Sequence, residues 1–324
     1  MSIPPAASKV VIHVAAGIVN DTKGRVLIAK RPEAAHQGGL WEFPGGKLES
    51  GESVEQGLRR ELAEELGIQV CVSRPLIRLS HDYRDRRVLL DIHQVLDYQG
   101  IPQGREGQPL EWLTPEEMDA DRFPAADRPV ISALRLPSRY LITGAAPAAP
   151  DAFLMHLEQR LARTGVPIVQ LRAPWLDTDR YADLARRCAA LCRRMGALLL
   201  VNCEVELATR LPVDGLHLSE QRLLALDQRP DLGRCLIGAS CHDADTLARA
   251  ATLGLDYALL SPVCPTRSHP ESEPLGWKRF AELVDPAPLP VYALGGVGDP
   301  DLQIAWRHGA QGVAGISGFW SRSS

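Results

Sequence analysis

Apolar and polar positions along this chain follow two rhythms. In the first, Lys9 to Asn20 and Arg25 to Lys30 are apolar segments parted by Asp21-Thr22-Lys23-Gly24. That turn-type cluster between two apolar runs predicts a hairpin. Val54, Leu58, Leu62 and Leu66 recur every four residues and predict a helix over 53–66 with a buried stripe. Ser53 with Gln56 forms a capping-box pattern at its start, and Gly67 stops it. Strands are predicted near 70–80, 87–96 and 109–113, then a helix over 127–136 that Pro137 ends.

From Arg139 onward short apolar segments alternate with longer helical stretches. Strands are predicted at 140–143, 168–172, 197–202, 215–219, 235–240, 257–261, 291–295 and 313–317, with a helix in each interval. Such alternation implies parallel strands joined by crossovers, and eight units predict a closed (β/α)8 TIM barrel. The stretch GAAPAAP (144–150) reads as a loop within the barrel, and the ending FWSRSS leaves little room for an eighth helix. The expected domains are 1–137 and 138–324.

Composition narrows the class. The 324 residues fit about two domains. Hydrophobic residues at 45% and charged residues at 23% exclude a disordered chain. Lys plus Arg is 36 against 40 for Asp plus Glu, a net charge of −4. A binder of nucleic acid polymers needs a dense basic footprint instead. No apolar run approaches the ~18–20 residues of a membrane span, and the first residues lack the basic and apolar regions of a signal peptide. Seven cysteines, odd in number and without a CxxC pair, point to reduced thiols and a cytoplasmic location.

The chemistry is densest around the 53–66 helix. Glu61, Glu64 and Glu65 stand at i, i+3 and i+4, so they share one face and repel one another. Arg59 and Arg60 offset part of that repulsion, and a divalent cation would offset more. Oxygen-only ligands suit Mg²⁺ or Mn²⁺. The glycine loop before the helix can bring a backbone carbonyl to the same ion. Three glutamates alone would also fit a solvated acidic face.

The full spacing is Gly46, five residues, Glu52, seven residues, Arg60-Glu61-Leu62, one residue, Glu64-Glu65, one residue, Gly67-Ile68. It resembles the complete Nudix box, which implies an α/β/α sandwich with a mixed sheet and Mg²⁺-dependent hydrolysis of a nucleoside diphosphate linked to a further group. Carried over by position, the resemblance makes Glu61, Glu64 and Glu65 metal ligands together with the Gly45 carbonyl. It gives Arg60 the task of orienting a glutamate and Glu52 that of bracing the loop.

The likeness to MutT-type enzymes, which cleave oxidised guanine nucleotides, extends over residues 9–136. Ala29-Lys30-Arg31-Pro32, His36 and Trp41-Glu42-Phe43-Pro44 precede the box; Asp85-Arg86, Arg105-Glu106-Gly107-Gln108-Pro109 and Phe123-Pro124-Ala125-Ala126 follow it. The resemblance implies conversion of 8-oxo-dGTP to 8-oxo-dGMP and pyrophosphate. Glu106 becomes a further metal ligand or base, and Arg31, Phe43, Arg86 and Asp127 become substrate contacts. Where that family has an asparagine to read the purine edge, this chain has Asp127, which donates no hydrogen bond unless protonated. Asp127 also fits a helix N-cap before Arg128-Pro129.

Residues 139–320 resemble the thiamin phosphate synthase and TenI family. The marks include Val169-Gln170-Leu171-Arg172, Asp214-Gly215-Leu216-His217-Leu218, Ile237-Gly238-Ala239-Ser240-Cys241-His242, Ser261-Pro262, Gly295-Gly296 and Gly315-Ile316-Ser317. The resemblance implies a ligand site of Gln170, Arg172, Asn202, Thr266, Gly295, Gly296 and Ser317, holding a thiamin-related phosphate. Synthase positions are lost: Asn202 is followed by Cys203, Arg222 stands at an acidic position, Pro174 replaces a lysine, and Thr266-Arg267-Ser268-His269 departs from Thr-x-Thr-Lys. The histidine that TenI-type tautomerases carry near Ser261-Pro262 is missing from that segment. The expectation is a phosphate-binding barrel without synthase activity. A thiamin-pathway diphosphate hydrolase and a bifunctional protein with synthase activity are the alternatives.

Overall fold

A computed structural model describes residues 10–34, 37–82, 86–145, 149–266 and 273–320. The chain divides into two compact units, Met1–Arg135 and Leu136–Ser324.

The first unit contains β1 (Val10–Ile18), β2 (Val26–Lys30), β3 (Trp41–Glu42), β4 (Gly45–Lys47), α1 (Val54–Leu66), β5 (Gln69–Asp82), β6 (Arg86–Gln99), β7 (Leu110–Leu113) and α2 (Arg128–Arg135). One mixed sheet runs β4-β1-β6-β5 and a second, antiparallel sheet runs β3-β2-β7. The capping box at Ser53 forms: its hydroxyl accepts from the Gln56 N–H at 3.2 Å, and Gln56 Oε1 accepts from the Ser53 N–H at 2.9 Å. Gly67 ends the helix at a left-handed φ of 70°. Leu58, Leu62 and Leu66 are fully buried against Ala15, Val19 and Val95, each burial contributing about 1.5–3 kcal/mol. Val54 is only half-buried at the helix start. On the other face Val130 and Ile131 of α2 pack with Ala16, Ile18 and Ile92. Helices on two sides of the strands make the sandwich, with two sheets in its middle.

The predicted hairpin forms only at its tip. Asp21–Gly24 does turn, with the Asp21 carboxylate accepting from the N–H groups of Lys23 and Arg25. Beyond one bridge between Asn20 and Val26, however, β1 and β2 part into different sheets. β1 is apolar on both faces and lies under both helices, so it takes a central place between β4 and β6.

The second unit begins with β8 (Arg139–Ile142), α3 (Pro150–Thr164), β9 (Ile168–Leu171), α4 (Thr178–Arg194), β10 (Leu198–Val201), α5 (Val205–Ala208), β11 (Gly215–Leu218) and α6 (Glu220–Ala225). It continues with β12 (Leu236–Cys241), α7 (Ala244–Thr252), β13 (Tyr257–Leu260), α8 (Gly276–Val284), β14 (Val291–Leu294), α9 (Leu302–Arg307), β15 (Gly312–Gly315) and α10 (Ser317–Trp320). The parallel strands β8 to β15 close into a barrel. Along each strand one set of side chains fills the interior and the alternate set packs against helices. Tyr140, Tyr257 and Tyr292 meet edge-on inside, with Leu136 among their neighbours. The last helix among the described residues, α10, is a single turn. Among the described residues no helix is long and apolar enough to cross a membrane.

Candidate functional site

The acidic face of α1 is organised by one arginine. Arg60 Nε and Nη2 donate to the two Glu52 oxygens at 2.8 and 2.9 Å. Its Nη1 donates to Glu61 at 2.8 Å and to Glu64 at 3.2 Å, and its Nη2 also reaches the Lys47 carbonyl at 2.9 Å. These bonds raise the Arg60 pKa and hold Glu52 down at about 2. Glu52 also accepts from the Glu49 N–H at 2.8 Å, which braces the loop between β4 and α1.

That loop lies against the acids. Gly45 has φ 148° and donates its N–H to Glu65 Oε2 at 3.1 Å. A Cβ on Gly46 would lie 2.4 Å from Glu61 Oε2, so the carboxylate rests directly on the backbone. Burial pushes Glu65 up to about 8; the Gly45 N–H opposes this, and the charges of Glu42, Glu61 and Glu106 add to it. The segment bearing Glu106 is docked on the end of α1, where the Arg105 N–H and the Gln108 amide both donate to the Glu65 carbonyl, at 2.9 and 3.2 Å.

Among the described residues no three His, Cys, Asp or Glu side chains are gathered at ion-holding distance. Arg60 engages Glu61 and Glu64, and Glu106 is exposed. The donor set is nevertheless all oxygen, and the mutual repulsion around Glu65 is of the kind a hard divalent cation relieves. The residues present therefore fit Mg²⁺ or Mn²⁺.

Beside this acidic turn is a cavity of about 310 Å³ lined by Val14, Ala16, Leu90, Arg31, Glu42, Phe43, Gly45, Lys47, Arg86 and Asp127. The four expected substrate contacts, Arg31, Phe43, Arg86 and Asp127, thus line one cavity. Phe43 stacks on Phe123 with centroids 5.7 Å apart. Arg31 is paired with Glu42, whose carboxyl is raised by burial against the opposing charge of Arg31. Burial, together with the Glu42 charge, pushes Asp127 up to about 7, and Arg31 opposes it. Asp127 ends a short 3-10 turn that runs straight into α2, its backbone N–H reaching the Pro124 carbonyl at 2.9 Å. Glu42 is a site residue that sequence reasoning left without a role. Its place between two aromatics that face inward was the available signal. His36 and Asp85 lie outside the described residues.

In the barrel, Arg172, Asn202 and Gly295 directly follow β9, β10 and β14, and Ser317 stands just past β15. Thr266 lies on the segment after β13, so these residues share the C-terminal rim. Gln170 does not point to the rim; it is buried inside, where its Oε1 accepts from the Tyr140 hydroxyl at 3.0 Å. From Tyr140 the bonds continue to Tyr257 at 2.9 Å, His217 at 3.2 Å and Ser240 at 2.9 Å. Burial lowers His217 to about 3, so it is neutral. Arg222 donates to Glu204 at 2.9 and 2.5 Å and to Asn202 Oδ1 at 3.4 Å. Cys203 is 7% exposed, and burial raises its thiol to about 12. His242, which directly follows β12, places its Nδ1 2.8 Å from the Ser261 carbonyl. Arg267, Ser268 and His269 lie outside the described residues.

Comparison with known proteins gives two separate matches. A model of the NUDIX domain matches residues 14–133, and a model of thiamine monophosphate synthase matches residues 139–319. The 8-oxo-dGTP diphosphatase of Escherichia coli (strain K12) is 39% identical over 124 residues, spanning 38% of this chain and 96% of that protein. The CTP pyrophosphohydrolase of the same strain is 40% identical over 122 residues, spanning 38% and 90%. The thiamine-phosphate synthase of Thioalkalivibrio sulfidiphilus is 33% identical over 190 residues, spanning 58% and 90%.

Proposed function

The chain belongs to the Nudix hydrolases through residues 14–133 and to the thiamine monophosphate synthase family through residues 139–319, and on that premise we propose that its first unit hydrolyses 8-oxo-dGTP to 8-oxo-dGMP and pyrophosphate. One observation carries this reading. Gly45 belongs to both halves of the site, donating to Glu65 and lining the cavity that Phe43, Arg31 and Asp127 share. A base in that cavity therefore delivers its phosphates to the acidic turn of α1.

Mg²⁺ or Mn²⁺ held by Glu61, Glu64, Glu65, Glu106 and the Gly45 carbonyl would neutralise phosphate charge and lower the pKa of water. The chain supplies the rest. Arg60 fixes Glu61 and Glu64 against the loop, and the Glu52 brace keeps that loop in register. Glu64, whose side chain is 59% exposed, takes the proton of the attacking water. The bond between the α and β phosphates breaks, and pyrophosphate leaves. The site of action is the cytoplasmic nucleotide pool, where removal of oxidised nucleotides supports DNA repair.

Pyrophosphate release from 8-oxo-dGTP and from dGTP, with and without Glu64→Gln, tests the reading. Turnover is expected to favour 8-oxo-dGTP, require the divalent ion and fall in the variant. Equal turnover of dGTP refutes the substrate, and turnover without a divalent ion refutes the mechanism.

The barrel, in this proposal, binds a thiamin-related phosphate without making it. Its Cys203 is a buried neutral thiol where a synthase has a carboxylate, and Arg222 already engages Asn202 and Glu204. Titration with thiamin phosphate should show binding, and a synthesis assay with the pyrimidine and thiazole precursors should show no product. Full-rate, Mg²⁺-dependent synthesis refutes it.

A further inference from the structure

Helices α3 and α4 lie side by side on the outside of the barrel. Each buries one stripe in the core, Phe153, Leu157 and Leu161 from α3 and Ala185, Cys188 and Cys192 from α4. Between their outer faces runs a groove of about 420 Å³ with an apolar floor of Leu154, Met155, Ala190 and Leu191. Met155 is 58% exposed, so a flexible apolar side chain meets water there. An ion pair closes each end of the groove, Asp151 with Arg187 and Glu158 with Arg194. Both pairs join residues 36 apart in the chain. Along each helix the two charges are two turns apart, about 10 Å. The helices therefore run parallel and in step, with the acids of the patch on α3 and the arginines on α4.

We propose that this groove docks a second copy of the chain, the α3–α4 face of one copy packing on the same face of the other as a four-helix layer. Two features of the patch point to a copy of itself. It holds both parts of an isologous contact, because Met155 is exposed in the groove that receives its counterpart. Its charges are also self-complementary in one arrangement and not in the alternative. A two-fold axis running along the helices sets α3 over the other copy's α4. Asp151 then faces Arg187 at one level and Glu158 faces Arg194 at the other, so every charge has two neighbours of opposite sign. A two-fold axis running across the helices sets α3 over α3 in the reverse direction, and Asp151 meets Glu158. Like charges at close range oppose that contact, so the charge pattern selects the first arrangement.

The size of the patch sets the strength of the contact. The 15 residues of α3 make about 22 Å of helix, and two packed helices about 9 Å apart present a strip about 20 Å wide. The contact buries roughly 450 Å² per copy, or roughly 900 Å² in all, below the roughly 1,200 Å² at which standard interfaces begin. A reversible dimer with a micromolar dissociation constant follows, not a permanent one. The groove shares no lining residue with the barrel rim or with the acidic turn of α1, so the dimer stands or falls apart from the proposed activity.

Sedimentation velocity on the full chain, from about 1 to about 200 µM, tests the proposal. Monomer at the low end should give way to dimer at the high end. Met155→Asp should raise the dimer dissociation constant at least about tenfold and leave the melting temperature unchanged, because the side chain it replaces is exposed. Raising NaCl from about 0.05 to about 0.3 M should also weaken the dimer, since salt screens exposed charges. Two charge variants complete the test. A chain with Arg187→Glu and Arg194→Glu presents only acids along the groove, and one with Asp151→Arg and Glu158→Arg presents only arginines. Each alone should stay monomeric, and the two mixed should dimerise, which misfolded chains would not do. Monomer at every concentration overturns the proposal and leaves the face to a different partner. A dimer that survives Met155→Asp and both charge variants forms through another face and overturns it equally. A dimer that tightens as salt rises refutes the charge-paired arrangement.

Discussion

Gly45 and Gly46 are adjacent, yet replacing each by alanine should damage different things. A Cβ on Gly46 would sit 2.4–2.5 Å from the Cδ and both oxygens of Glu61, the far end of a flexible side chain. Gly46 does not have a positive φ, so alanine adds no backbone strain. Glu61 must swing away, at about 0.5–1.5 kcal/mol for a displaced rotamer. The stiffer unfolded chain returns about 0.4–1 kcal/mol. The two nearly cancel, and the melting temperature should move by no more than about 4–8 °C. Activity should not survive as well: with Glu61 off the loop, the divalent requirement should rise and turnover fall by at least about 100-fold, since even indirect supports of a metal site are worth about 10–100-fold. Gly45→Ala meets backbone instead, 2.2 Å from the Ala15 carbonyl and 2.5 Å from the Ala16 Cα, at φ 148°. Strain and overpacking at the central strand β1 should then cost about 2–6 kcal/mol. Thermal melts of both variants, with pyrophosphate release over a Mg²⁺ series, separate the effects. A Gly46→Ala protein with unchanged turnover and ion requirement would refute the role given to Glu61. One destabilised as much as Gly45→Ala would refute the distinction between side-chain and backbone contact.

Stability should also fall as pH rises between about 4 and about 7 because of Asp127: folded, it keeps its proton to about 7, whereas unfolded it releases it near 3.8. The contribution is full below the unfolded value and lost as pH passes through the folded one, at most about 4 kcal/mol, and the slope should shrink in Asp127→Asn when denaturant midpoints are compared across pH. Leu62→Ala removes a fully buried side chain from the α1 stripe and should cost about 2–5 kcal/mol by urea unfolding. Tyr140→Phe leaves the buried Gln170 oxygen without its donor and should lower the barrel's stability by about 1–3 kcal/mol, read by calorimetry.

Local signals were legible where one stretch of chain decides the outcome. The cap at Ser53, the stop at Gly67 and the Leu58-Leu62-Leu66 stripe all follow from i to i+4 geometry, and the barrel follows from repetition of one unit. What was not legible depends on partners distant in the chain. The pairing of β1 with β6 rather than β2 requires knowing that both faces of β1 are covered, a fact about α1 and α2. Strands β3 and β4 are too short to show a period. Among the site residues, the spacing placed Glu61, Glu64 and Glu65 on one face. It did not show that Arg60 engages two of them while Glu65 is left to burial and repulsion. His242 reaches the Ser261 carbonyl from the loop after β12, which no reading of the Ser261-Pro262 segment reveals.

The two units handle negative charge in opposite ways, and this bears on which of them needs a metal ion. In the first, a single guanidinium answers Glu52, Glu61 and Glu64, and Glu65 remains buried among the charges of Glu42, Glu61 and Glu106. Protonation near pH 8 is one way to relieve that excess, and a divalent cation is the other; at neutral pH the cation can displace the proton. At the barrel rim the balance is already closed. Arg222 bonds Glu204 and holds it below the usual carboxylate range, and the same guanidinium reaches Asn202. The neighbouring Cys203 carries no charge because burial keeps its thiol protonated. An ion there would meet a cation rather than a deficit. On the proposed reading, anionic ligands at the rim would be held by arginine and backbone N–H groups, and a divalent ion would be held by the unit whose carboxylates outnumber their counter-charges.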